Sequence, residues 1–281
     1  MRLFKKSIKR KNRFLFVVML LVGAFMALPL VLVIGNSFKP LDELFRFPPS
    51  LLPSRPTGRN YSDILNIMSA SWIPFFRYLA NTVFITVAGT FGHVVLASMC
   101  AYPLAKKKFP GKKVLFGLIV ATLMFNGGVT AIPNYLTMSA LKILNTPYSL
   151  ILPALSASLG LYLMKQFMEQ MPDSLIEAAR IDGAGQWQTF WKIVMPNVKP
   201  AWLTLTLLSV QSLWNIGSTS YIFDEEKKTL AYALSQIASS GIVRAGVSAA
   251  VSVLMMSVPV TIFIVTQSNI IETMASSGMK E

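Results

Sequence analysis

The groups able to do acid–base, nucleophilic or metal chemistry are few in this 281-residue chain. It has one histidine, His93, and one cysteine, Cys100, in the same apolar stretch. One cysteine excludes an internal disulfide, and a cysteine metal site has no ligands to draw on. A lone histidine in such a stretch is more often packed or pore-lining than a ligand. No catalytic residue and no metal ligand is therefore assigned. Gly111-Lys112-Lys113 lacks the leading glycine and the hydroxyl residue of a phosphate loop, so no nucleotide hydrolysis is expected of the chain itself.

One segment does carry a dense pattern of side chains. It runs from Met171 to Pro200 and includes Glu177-Ala178-Ala179-Arg180-Ile181-Asp182-Gly183. Pro172 can begin a helix, because its missing N–H is not needed there. Asp173 then sits in the first turn, where the helix dipole favours an acid. Leu175, Ile176, Ala179 and Ile181 give an apolar surface, and Ala178 and Ala179 allow another backbone to come close. Gly183 and Gly185 favour a turn. A second short helix with Trp187, Phe190, Trp191 and Ile193 is expected to end before Pro196. Two amphipathic helices of this kind could lie on lipid, but lipid-bound helices usually carry a strongly basic face. This pair has Glu177 and Asp182 and few cations.

The elements that position this segment are membrane spans. Hydrophobic residues make up 53% of the chain and charged ones 14%, with a mean hydropathy of +0.55. A soluble domain has about 25% charged residues. Six stretches are apolar enough to span a bilayer: Phe14–Gly35, Tyr78–Ala105, Val114–Ala131, Ile143–Met164, Ala201–Phe223 and Ala245–Ile271. The fifth is weakened by the polar run 211–220. The first is longer than a signal-peptide core, and no small-residue cleavage site follows it, so it reads as a retained anchor. The expected class is all-α, a polytopic membrane protein of six transmembrane helices.

Lysine and arginine set the orientation. With the N-terminus inside, the inner segments hold 17 and the outer ones nine. The run Lys106-Lys107-Lys108-Phe109-Pro110-Gly111-Lys112-Lys113 is inside, and both termini are cytoplasmic. The organisation is then a basic N-terminus at 1–13, a six-helix region at 14–271 and a tail at 272–281. Outer loops lie at about 36–77 and 224–244 and the cytoplasmic loop at about 169–200. The net charge of +14 belongs to membrane topology rather than to nucleic-acid binding. No Asp, Glu, Lys or Arg lies in the middle of a stretch, which argues against a proton- or sodium-coupled carrier.

Glu177-Ala178-Ala179, then Gly183, then Ile193-Val194-Met195-Pro196 at this spacing resembles the EAA loop of permease subunits of bacterial ABC importers. The longer form Glu177-Ala-Ala-Arg-Ile-Asp-Gly-Ala184 is similar to the carbohydrate-uptake, MalG-like branch. Lys165-Gln166-Phe167 and Trp214-Asn215 extend the likeness over most of the chain. Met195 stands where the family usually has Leu, a volume-conserving exchange. The C-terminal segment around Gln267-Ser268-Asn269 lacks the aromatic residues common in relatives.

The resemblance implies a site and a set of partners. Glu177, Ala178, Ala179, Asp182, Gly183, Ile193 and Pro196 are the expected ATPase-coupling residues. Glu177 would pair with a cation on the ATPase, and Ala178 and Ala179 would form its close-approach surface. ATP and magnesium would be bound by a separate cytoplasmic ATPase dimer. A second permease subunit, an extracellular solute-binding protein and membrane lipid complete the expected partners. The cargo would be a sugar or short oligosaccharide. Asn126, Gln211, Trp214 and Asn215 could offer hydrogen bonds and a flat face to it. Alternatively, these groups join helices to one another.

Overall fold

The computed structural model describes residues 2–69, 72–125, 127–217, 220–239, 241 and 244–277, with side chains described for 14–267 of these. Among them every regular element is helical: α1 (Arg2–Ser37), α2 (Leu41–Leu44), α3 (Arg59–Ser69), α4 (Phe75–Lys106), α5 (Lys112–Thr122), α6 (Gly127–Ala140), α7 (Tyr148–Leu155), α8 (Ser158–Gln170), α9 (Ser174–Ile181), α10 (Gln186–Asn197), α11 (Lys199–Trp214), α12 (Leu230–Ala238) and α13 (Ala245–Ser277). Four runs can cross a bilayer by length and composition: Phe14–Ser37, Phe75–Lys106, Tyr148–Gln170 and Ala245–Gln267. Counted as one broken span each, the pairs α5 with α6 and α10 with α11 bring the number to six. The chain is a six-span, all-α membrane protein.

Three of the expected spans are interrupted. The stretch Val114–Ala131 is divided between α5, which ends at Thr122, and α6, which starts at Gly127. The stretch Ile143–Met164 starts only after Pro147 and breaks at Ser156 and Ala157, just past Pro153. The stretch Ala201–Phe223 is helical only to Trp214, because the polar run from Gln211 gives no further apolar face. In its place α10 meets α11 at 79°, about Val198.

The chain forms two compact units. One comprises residues 1–70 and 235–254. Its Phe14–Ser37 helix buries none of its most apolar window. The segment after it is folded by polar contacts. Asn60 Nδ2 donates to the carbonyls of Ser37, at 2.8 Å, and Lys39, at 2.9 Å. Glu43 is buried and accepts the Ser54 N–H at 2.6 Å, a bond that holds its carboxyl below the usual range.

The other unit comprises residues 71–234 and 255–281. At its centre is α4, 32 residues long and about 48 Å from end to end. Its buried positions Tyr78, Thr82, Ile85, Gly89, His93, Ala97 and Ala101 recur at helical spacing and face α7, α8 and α11. Gly89 permits the close approach of α11: a Cβ there would meet Leu213 Cδ1 at 2.6 Å. His93 stands between α8 and α11. Its Nε2 lies 3.0 Å from Ala157 O and its Nδ1 2.9 Å from Ser209 Oγ. A carbonyl only accepts, so Nε2 carries the hydrogen, and in the neutral ring Nδ1 accepts from the Ser209 hydroxyl. His93 is thus packed and fully bonded.

At the far end of α4, the segment 221–230 is strapped down. Arg77 Nε and Asn81 Nδ2 donate to Glu226 O, and Tyr78 OH donates to Glu225 Oε1 at 2.9 Å. Asn145, at a φ of 62°, accepts the N–H groups of Phe223 and Asp224 on its Oδ1.

Candidate coupling site

The site begins where α8 stops. Met171 turns the chain, and Asp173 precedes α9 with its carbonyl accepting from Ile176 at 2.9 Å and Glu177 at 3.0 Å. The Asp173 carboxylate does not cap its own helix. It accepts from Lys106 Nζ at 2.7 Å, at the end of α4. That bond and the lysine charge hold the Asp173 carboxyl below the usual range. The same ammonium donates to Met171 O, and to Glu169 O at 3.5 Å. An ammonium buried to this degree needs such acceptors, because desolvation penalises an unpaired charge.

Helix α9 has two faces. Ile176 and Ala179 are buried, whereas Glu177, Ala178, Arg180, Ile181 and Asp182 are exposed. Ile176 joins a core with Ala101, Tyr102, Met164, Met168, Phe190 and Val194. The helix ends as a Schellman turn: Gly183 N–H bonds Arg180 O at 3.1 Å, and Ala184 N–H bonds Ala179 O at 2.9 Å. Gly183 has a φ of 79°, a conformation disfavoured for any residue with a Cβ. Ile181, at the end of α9, is 86% exposed.

The return helix α10 widens over Phe190–Val194, where Met195 N–H reaches Phe190 O. This wide turn precedes Pro196, and the helix continues to Asn197 rather than ending before the proline. Local widening of this sort absorbs a proline inside a helix. Phe190 rests on Tyr102 with ring centroids 5.5 Å apart, and edge-on to Trp191 at 5.0 Å.

The sequence-derived residues fall into separate groups. Glu177, Ala178, Asp182 and Gly183 share one exposed end. Ala179 does not belong to the expected close-approach surface; at 4% exposure it faces the core. It lies three residues after Ile176, so the helical period puts it on the same inward side. Ile193 is partly buried and Pro196 exposed, both on α10.

The pathway candidates also divide. Trp214 lines a groove of about 950 Å³ together with Thr86, Thr90, Trp191 and Trp202. Thr86 Oγ1, Thr90 Oγ1 and Trp214 Nε1 have no hydrogen-bond partner among the described residues. Gln211 is exposed and lines no part of that groove. Asn215 joins neither groove nor neighbour; its Nδ2 donates to Gln211 O at 2.8 Å, within its own helix. Asn126 lies outside the described residues. Sequence reasoning passed over Lys106, read only as one of a basic run, and Tyr102. Nothing in their own neighbourhood signals the acceptors and ring that meet them from 60 or more residues later.

This fold has counterparts among known proteins. The model of the binding-protein-dependent transport system inner membrane component matches residues 6–274. The chain belongs to that permease family. Protein LplC of Bacillus subtilis is 33% identical over 77% of this chain and 72% of its own length. The polygalacturonan/rhamnogalacturonan transport permease YtcP of the same species is 33% identical over 78% and 75%. A crystal structure of a bacterial ABC transporter that imports the acidic polysaccharide alginate contains a chain that superposes with a TM-score of 0.76. That chain is 26% identical, and the match covers 92% of this chain and 96% of that one. This permease is accordingly a membrane subunit of an ABC importer rather than its ATP-hydrolysing enzyme. It works with an ATPase and a solute-binding protein.

Proposed function

We propose that this permease carries a sugar or oligosaccharide inward, and that the exposed end of α9 is the surface on which the ATPase acts. The observation that carries the docking assignment is the division of α9 into a rooted face and a free one. Ile176 and Ala179 fix the helix to the core, while Glu177, Ala178, Ile181 and Asp182 project from it. A carboxylate beside a small residue and an exposed isoleucine suits a cleft with a cation at its rim. The lysine and arginine distribution supports a cytoplasmic side for both termini and this loop. ATP and magnesium are bound by the ATPase dimer. A second, distinct permease subunit completes the passage.

The cargo assignment rests on the relatives, among them transporters of polygalacturonan, rhamnogalacturonan and alginate. Within the chain, Trp214 borders the groove while largely buried, and an indole there is the kind of flat group on which a sugar ring stacks. Gln211 and Asn215 are weaker pathway candidates, one off the groove and the other bonded to its own helix.

The test is to delete the gene and measure uptake of a panel of radiolabelled neutral and acidic oligosaccharides. Loss of one or more of them, restored by the wild-type chain, supports the cargo class; an unchanged panel refutes it. Glu177→Lys should leave the permease in the membrane but remove the ATPase from the purified complex. Normal co-purification with normal uptake would refute the docking role.

A further inference from the structure

Four of the contacts described above converge on the end of α4. Lys106 is four residues after Tyr102, so the two share one face of the helix. Tyr102 holds Phe190 of α10, the helix that leaves the loop. Lys106 holds the entry. Its side chain is 6% exposed, and its Nζ reaches the Asp173 carboxylate, Met171 O and Glu169 O. The carbonyls at the end of α8 have no partners within that helix, and a cation is the group that best satisfies them.

We propose that Lys106 is a positioning residue for coupling: it latches the elbow between α8 and α9 to the end of α4, so that movement imposed on α9 is delivered to that span. This rests on the reading that α9 is where the ATPase acts. The lysine is suited to the task because its three acceptors lie on both sides of the elbow. Glu169 belongs to α8, Met171 to the turn and Asp173 to the start of α9. A single head group therefore fixes the angle at which α9 leaves the membrane-spanning part. The other buried lysine of this region, Lys165, does not serve the elbow. It pairs with Glu169 at 2.5 Å and lies over the Phe116 ring at 4.1 Å, tying α8 to α5. Of the remaining lysines of the basic run, Lys112 donates to Ala105 O and Lys107 O and so braces its own turn. Among the described lysines, Lys106 is the one that connects two spanning helices to the coupling helix.

The test uses the full chain in lipid nanodiscs, first alone and then assembled with its ATPase. Cys100 is replaced by serine, and spin labels are attached at Lys108 and Arg180, both exposed. The distance between them reports the angle of α9 on the end of α4. A single narrow distribution is expected in the otherwise wild-type chain, unchanged when ATP is added to the assembly. Lys106→Met keeps the aliphatic stem and removes the head group; the distribution should broaden, and shift when ATP is added. Lys106→Arg should restore the narrow distribution, because a guanidinium reaches the same acceptors. A narrow distribution in Lys106→Met, or one equally broad in Lys106→Arg, would overturn the proposal. Should Lys106→Met fail to accumulate, Asp173→Asn on the exposed partner gives the same reading, with partial broadening expected and none refuting the latch. The measurement on the chain alone needs no ATPase, so failure of the latch is distinguishable from failure of the docking assignment.

Discussion

His93 illustrates how a titratable side chain inside a span is made harmless and useful together. At the break between α7 and α8 the carbonyl of Ala157 is available, and the imidazole takes it. Gly160 is the space that allows this, since a Cβ there would run into His93 Nε2. Gly160→Ala should therefore lower the thermal stability of the purified protein by about 1–3 kcal/mol, the usual range for an overpacked core. An unchanged melting profile would mean that the imidazole has room to move. Asp173 gives a pH signature. Its carboxyl is held below its ordinary value of about 3.9. Its ionised form thus contributes fully above that value, and the contribution is lost as the pH falls through the lowered one. The label distance at the elbow should be constant from about pH 8 to about pH 5 and change only below about pH 4. A transition near neutrality would point to another group.

At the scale of elements, interruptions do the positioning. The Schellman turn at Gly183 fixes where α9 ends and presents Ile181 and Asp182. Gly183→Ala should cost about 1 kcal/mol for the positive φ alone and lower uptake more than it lowers stability; equal losses would make the glycine merely structural. On the other side of the unit, Asn145 fixes the segment 221–230 by its side-chain bonds to Phe223 and Asp224. Asn145→Ala should cost about 1–2 kcal/mol and expose that segment to proteolysis. An unaltered cleavage rate would show that Arg77 and Asn81 suffice. The elements themselves were legible in outline. Apolar run length gives six crossings, but it is blind to where a helix breaks inside a run. Pro153 marked one such break, and Asn126-Gly127-Gly128 at the division between α5 and α6 is a turn signal that hydropathy summed over the run passes over.

For the whole molecule, the main consequence of the fold is that the candidate coupling loop is not an appendage. Ile176 and Phe190 share a core with Ala101, Met164 and Met168, so α9 and α10 are rooted among the spans. An uptake assay should place Lys106→Met between wild type and Glu177→Lys. The expected loss is about three- to thirtyfold, the range for a disrupted coupling contact. A value equal to wild type would mean that the aromatic contact of Tyr102 with Phe190 carries the movement alone.

The sequence by itself determined the class, the number of crossings, the family and the segment that carries the candidate coupling pattern. These depend on hydropathy summed over a run, on charge summed over a loop and on residue spacing within one segment, and all three are properties of the chain taken in order. The tertiary structure alone decided that Ala179 faces inward, that Asn215 bonds its own helix, that Trp214 lines a groove, and that Lys106 meets Glu169, Met171 and Asp173 at the elbow rather than standing as one more basic residue. Each of those outcomes depends on what lies across from a side chain. For Lys106 the partners come from 63 to 67 residues further along. No local pattern encodes which carbonyls will be left without donors at that place.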